Sequence, residues 1–252
     1  TLRVLPIPEM SAVAVAYFQD ISKAARVANT VLRRITPSAI EILDGKSIEA
    51  VNRYMPSLNL PQAEAALYFE VEGEAKEVEH QIKVIVEACK ELGGKTEWTD
   101  DPNEKEKLLT GRELVGGAIM NVDRRRVRIY EAEDVCVPLS KLPAFIREVH
   151  KISEKYGIPV CLYGHAGDGN CQSGIMVDPT SREEWEKMRH LAREIYELAV
   201  KLGGNISGEH GIGILRAEYM ERIHGATSLR LMRAIKKAFD PLGILNPGKM
   251  GL

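Results

Sequence analysis

Residues 158–177, IPVCLYGHAGDGNCQSGIMV, decide how the chain is read. Apolar runs at 158–163 and 173–177 predict two strands, and the glycine-rich stretch Tyr163–Asn170 predicts the turn joining them. Upstream, Val135 and Val137 fall on a strand ending at Pro138. Ser140 is the expected cap of a helix carrying Leu142, Phe145, Ile146, Val149 and Ile152. Downstream, Trp185, Met188, Leu191, Ala192, Ile195, Leu198 and Leu202 recur at helical spacing until the paired glycines Gly203-Gly204.

The same order occurs earlier in the chain. AVAVAYF at 12–18 predicts a buried strand. Asp20 then stands as N-cap to a helix with Ile21, Ala24, Ala25, Ala28, Val31 and Leu32 on one face. AIEIL at 39–43 and the alternation of Leu67, Phe69 and Val71 predict two more strands. A helix through Val78, Ile82, Ile85, Val86, Cys89 and Leu92 stops at Gly93-Gly94, before a short strand at 95–98. Each half is β-α-β-β-α-β. The expectation is an α+β fold: two ferredoxin-like repeats forming an antiparallel sheet with helices on one face, plus a helical C-terminal extension. The first repeat spans about 1–100, a mainly helical connection 101–130, the second repeat 131–207 and the extension 208–252. Right-handed crossovers put the helices of each repeat on one side, leaving the opposite face of the sheet to roof a ligand.

Composition narrows the function. A hydrophobic fraction of 44% and a charged fraction of 28% over 252 residues are those of an ordinary globular chain. A net charge of −2 gives no overall attraction to nucleic acid, and Arg124-Arg125-Arg126 reads as a solvated basic turn. No apolar run approaches the roughly 20 residues of a membrane span. Cys89, Cys136, Cys161 and Cys171 stand singly, which suits neither a zinc ribbon nor a disulfide framework, so a cytoplasmic location is the expectation. His80, His150, His190 and His224 fall on predicted helices or their ends without partners and are assigned no role.

Chemistry concentrates in two loops of the second half. Tyr163–Asn170 holds three glycines in six residues, which lets the backbone approach a ligand and places His165 at the sheet rim; the plainer alternative is a hairpin turn whose histidine bonds a carbonyl. Ser207-Gly208-Glu209-His210-Gly211 sets a carboxylate beside an imidazole, one suited to a cation and the other to moving a proton; the alternative is an exposed pair on a soft loop. The two loops follow parallel positions of one repeat and are expected to meet. His165 and Glu209 supply two ligands for a divalent ion such as zinc or manganese, and Gln172 a weaker carboxamide oxygen.

YGHAGDGN, SGEHGIG and FDPLGILNPGKM, in that order, resemble the C-terminal domain of FAD-linked oxidases of the vanillyl-alcohol-oxidase type. That group includes the flavin subunit of glycolate oxidase, D-lactate dehydrogenase and D-2-hydroxyglutarate dehydrogenase. The likeness extends through EDVCVPLSKLP at 133–143 and LLTGRELVGGAI at 108–119 and, more loosely, to residue 1. It implies a partner: an FAD-binding domain, joined in cis or met in trans, of which this chain shows no phosphate-cradling loop. The chain is accordingly expected to be a fragment or a subunit, inactive by itself, with the electron acceptor open and a homo-oligomer allowed.

The resemblance also implies roles. His165, Gln172 and Glu209 fall on the metal ligands of the metal-dependent members, with Gln172 in the place of a usual histidine. His210 falls on the general base, Arg112 on an anchor for the substrate carboxylate, and Asn170 and Asn246 on the cofactor side. Gly174 stands where hydroxyglutarate-type members often carry asparagine, which favours a small monocarboxylate such as glycolate or D-lactate. Two other readings remain: a non-catalytic assembly or regulatory subunit that keeps the fold, and a metal-dependent hydrolase using His165, Glu209 and His210.

Overall fold

In the computed structural model, which describes residue 2, residue 4 and residues 6–252, strand β1 (Met10–Phe18) lies at the heart of the first repeat. Its alternation sorts the two faces of the sheet. Ala12, Ala14 and Ala16 point to one side and Val13, Val15 and Tyr17 to the other. The small alanines let helices α1 (Ile21–Leu32) and α3 (Ala75–Glu91) lie close above. Asp20 caps α1 as expected, its carboxylate accepting from the Ser22 amide at 2.7 Å. Strands β2 (Ala39–Asp44), β3 (Ala65–Gly73) and β4 (Lys95–Thr99) complete the repeat in the order β4-β1-β3-β2, every pairing antiparallel.

The second repeat comprises β6 (Val135–Cys136), α5 (Leu142–Tyr156), β7 (Val160–His165), β8 (Asn170–Val177) and α6 (Arg182–Lys201). Here β8 pairs with both β7 and β6, and Asn205 closes the unit as a single antiparallel bridge to Cys136. The two repeats join through β2 and β7, with Glu41 opposite His165 and Leu43 opposite Tyr163. A three-residue strand, β5 (Val127–Ile129), extends the far edge of the sheet along Ile175–Val177. Ser140 does not cap α5. It sits in a 3-10 turn over Leu139–Lys141, and the helix begins after Lys141 with no side-chain cap, because Pro143 removes one of the amides that would need one.

Helices α1, α3, α5 and α6 share one face, over a core that includes Phe69, Phe145, Leu191 and Ile195. The opposite face is partly covered. Helix α2 (Gly45–Tyr54), absent from the sequence expectation, and α4 (Pro102–Met120), the connecting helix, pack Ile48, Val51, Val115 and Ile119 on Val15, Leu43, Tyr68 and Tyr163. Buried Asp44 starts α2 by accepting from Ser47 N at 2.7 Å. It also takes the amide of Leu162 and bonds the ring of His150, which gives that histidine a structural partner. The extension forms α7 (Met220–Phe239), broken at Gly225, and a loop that returns to the sheet rim. No helix among the described residues is long and apolar enough to cross a membrane.

Candidate active site

The site grows from the β7–β8 hairpin. Strands β7 and β8 run further than expected, so His165 and Asn170 are strand ends and only Ala166–Gly169 turns. Two glycines are required here. A side chain on Gly164 (φ +152°) would strike Asn170 O at 2.5 Å, and one on Gly169 (φ +79°) would strike Val137 O at 2.0 Å. His165 is thereby set on the α4 face, beside Gln172, whose strand neighbour is Tyr163.

The second loop is held by one buried carboxylate. Asp134, fully buried just before β6, accepts from Ser207 Oγ at 2.7 Å, Glu209 N at 3.0 Å, His210 N at 2.9 Å and Asn170 Nδ2 at 2.8 Å. Its own carbonyl takes Gly208 N at 3.0 Å. Gly208 must lack a side chain because a Cβ would meet Asn170 Nδ2 at 2.2 Å. Burial works to raise the Asp134 carboxyl, but hydrogen bonds from Ser207, the His210 and Glu209 amides and Asn170 outweigh it and hold it below the usual carboxylate range. Buried Arg216 adds a charge 3.5 Å away and ties the loop to Gly211 O at 2.8 Å.

The two loops meet at Glu209. His165 Nε2, Gln172 Nε2 and His210 Nε2 lie 3.2, 3.3 and 3.5 Å from Glu209 Oε1. The other face of the His165 ring bonds Glu41 Oε1 through Nδ1 at 2.6 Å. Burial disfavours the imidazolium, but the Glu41 bond and the Glu41 and Glu209 charges outweigh it and raise the His165 pKa. Arg112, on α4, donates from Nε to Glu41 Oε2 at 2.9 Å, with Nη2 also 2.9 Å from that oxygen, and lies 5.5 Å above the Tyr163 ring. Arg128 is almost wholly buried next to it, bonded to Glu133 and to the Tyr163 hydroxyl.

The structure therefore brings His165, Gln172, Glu209 and His210 to one point and joins Arg112 to them through Glu41. Asn170 lies beneath, bound to Asp134, with its side-chain carboxamide oxygen buried and unpartnered among the described residues. Asn246 lies on the exposed C-terminal loop at φ +47°. That loop is fixed by Asp240, which accepts from Ile244 N and Leu245 N at 3.1 and 3.0 Å, and is tied to the Glu209 loop by Met250 N donating to Gly213 O at 2.7 Å. Glu41, Asp134, Arg128 and Arg216 were not singled out from the sequence. For Asp134 a signal existed: an acid immediately before the apolar strand Val135–Val137 is buried only when it is paired.

A sheet of two ferredoxin-like repeats, with a His–Glu–His cluster at one rim and a helical tail beside it, defines a class, and the comparisons agree. Residues 7–250 match the family "FAD linked oxidases, C-terminal domain", and the chain belongs to it. It is 33% identical to glycolate oxidase subunit GlcD of Bacillus subtilis over 99% of this chain and 53% of that protein. It is 34% identical to the mitochondrial D-lactate dehydrogenase [cytochrome] of Arabidopsis thaliana over 99% of this chain and 44% of that protein. The chain thus spans about half the length of these relatives. Among solved structures, 4-ethylphenol oxidase from Gulosibacter chungangensis superposes with a TM-score of 0.74 at 17% identity, over 98% of this chain and 55% of that one. A likeness at that identity concerns the fold.

Proposed function

We propose that the chain is the substrate-binding and catalytic half of an FAD-dependent D-2-hydroxyacid dehydrogenase, working with an FAD-binding module in cis or in trans. The observation that carries this reading is the convergence of His165, Gln172 and His210 on Glu209 Oε1, within 3.5 Å, beside Arg112. The C-terminal extension carries exposed apolar side chains. Ile214, Leu215, Leu231, Ile235, Phe239 and Leu242 are each at least 60% exposed, which fits a face covered by another module.

Arg112 keeps donors free after its bonds to Glu41 and would hold the substrate carboxylate as a fork. His210, exposed, with its amide held by Asp134 and its Nε2 3.5 Å from Glu209 Oε1, would take the hydroxyl proton. FAD, when bound, supplies the acceptor for the hydride leaving the carbon. A divalent cation fits the donor set: with Nδ1 spent on Glu41, His165 presents Nε2 to Glu209, and Gln172 can turn over its carboxamide oxygen. His165, Glu209 and Gln172 would hold it, and it would supply polarisation of the hydroxyl. Asp134, Glu209 and His210 also cluster within 4.8 Å, but both Asp134 oxygens are already occupied by N–H and O–H donors. Substrate class follows from charge. Both site arginines have an acidic partner, Arg112 in Glu41 and Arg128 in Glu133, which favours glycolate or D-lactate over a dicarboxylate.

The test is anaerobic bleaching of the flavin in the chain combined with its FAD-binding module. Glycolate or D-lactate should reduce it. His210→Ala should slow that reduction about 100- to 10,000-fold with FAD still bound. Equal single-turnover rates for the two proteins would remove His210 from the chemistry. A failure of every 2-hydroxyacid to bleach the flavin would remove the reading as a whole.

A further inference from the structure

Glu41 occupies a position no local pattern assigns. It stands on β2, directly across from His165 on β7, and faces α4, with its side chain 14% exposed. One oxygen, Oε2, accepts from Arg112; the other, Oε1, meets His165 Nδ1 at 2.6 Å. We propose that Glu41 is the positioning residue of this site, a rigid bridge that fixes the spacing between the carboxylate-anchoring guanidinium and the imidazole beside Glu209; this rests on the hydroxyacid reading above.

Three features support it. The guanidinium has five N–H donors in a planar fork, and using its Nε edge on Glu41 points the remaining donors away from β2. The Tyr163 ring, its centroid 5.5 Å from the guanidinium carbon, attracts that charge from one side. In a histidine, the bond made by one ring nitrogen decides what the other can do, so holding Nδ1 on Glu41 aims Nε2 at Glu209. Glu41 is itself carried by a strand in mid-sheet, between β3 and β7, which is a more rigid mount than a loop. Glu70, an acid on the neighbouring strand close enough to feel the Glu41 charge, makes no side-chain hydrogen bond or ion pair to Arg112 or His165 among the described residues and serves as the control for loss of a nearby charge without loss of the bridge.

The experiment compares Glu41→Gln with Glu70→Gln. In the complete enzyme, Glu41→Gln should raise KM and lower kcat, with kcat/KM falling about 10- to 100-fold, as misplacement of reacting groups by an ångström does. Glu70→Gln should leave both within about twofold of wild type. On the chain itself, side-chain ¹H–¹⁵N spectra should show protected Arg112 Nε–H and His165 Nδ1–H resonances that vanish in Glu41→Gln. Absence of these resonances from the wild type overturns the bridge, whatever the reaction. Unchanged kcat and KM in Glu41→Gln, with or without a lower Tm, reduces Glu41 to a structural residue and overturns the proposal. Resonances present in an enzyme whose flavin no 2-hydroxyacid reduces would instead sink the functional reading, and Glu41's part in the reaction with it.

Discussion

The two repeats share an order of elements but spend it differently. In the first, β1 is a nine-residue strand paired with β4 through five residue pairs, and the backbone satisfies itself by the ladder. In the second, the corresponding partners have shrunk to the two residues of β6 and one bridge at Asn205. Where that ladder stops, the amides of Glu209 and His210 still need acceptors, and Asp134 supplies them from its side chain. The second repeat has exchanged main-chain pairing for a carboxylate, and the loop so released carries Glu209 and His210. The proposed chemistry sits in the repeat whose sheet is incomplete.

The sharpest way to break that comparison is to remove the substitute. Asp134→Ala should cost about 3–5 kcal/mol, because it leaves Arg216 buried without its charge partner and several donors unsatisfied. Urea unfolding measures it, and a loss under about 1 kcal/mol would mean the loop is held by something else. The pH dependence has a definite sign. A carboxyl held below its ordinary value contributes its full stabilisation above the unfolded pKa of about 3.9 and loses it as pH falls through the folded value. Asp134→Asn should therefore flatten the acid limb of the stability profile relative to wild type.

Two glycines with nearly the same φ sharpen the contrast. Gly93 (φ +78°) ends α3 in the first repeat with nothing within 4 Å of where a Cβ would stand, so Gly93→Ala meets only the left-handed backbone cost of about 1–2 kcal/mol. Gly169 (φ +79°) turns the second repeat's hairpin against Val137 O, so Gly169→Ala adds an overpacking cost and should lose about 2–4 kcal/mol in all. Thermal unfolding of the pair separates the two cases. Equal losses would show that the hairpin can yield, and with it the placement of His165.

This contrast also explains what could be read ahead of the structure. The periods of AVAVAYF and of the helices at 78–92 and 185–202 are local, so the repeats, their stops at Gly93-Gly94 and Gly203-Gly204, and the hairpin at 163–170 were legible. Helix α2 was not, because only Ser47, Ile48, Ala50 and Val51 of GKSIEAVNRY are buried, and ten residues make too short a stripe. Glu41 acts through residues 71 and 124 positions away, by a register that no short window contains. His165, Glu209 and His210 were visible as residue types in glycine-rich loops. Of the carboxylates that orient them, Asp134 was legible only as an acid before an apolar strand, and Glu41 became visible only once strands were paired.

The smallest expected effect on stability tests the largest functional claim, that the exposed C-terminal extension faces another module. Phe239, 84% exposed at the end of α7, touches little of the core, and Asp240 beside it fixes the loop without needing the ring. Phe239→Ser should therefore change the stability of the chain alone by no more than about 0.5 kcal/mol. A surface that is merely exposed would show nothing further. If Phe239 and Leu242 instead belong to a covered face, the double change to serine should weaken association with the FAD-binding module about 10- to 100-fold, since an apolar anchor truncated at an interface centre costs about 1–3 kcal/mol. Titration of the two parts, followed by flavin fluorescence, reads this directly. Undiminished binding would place the module elsewhere on the chain, and would leave the exposed tail, tied to the Glu209 loop through Met250 and Gly213, without that role.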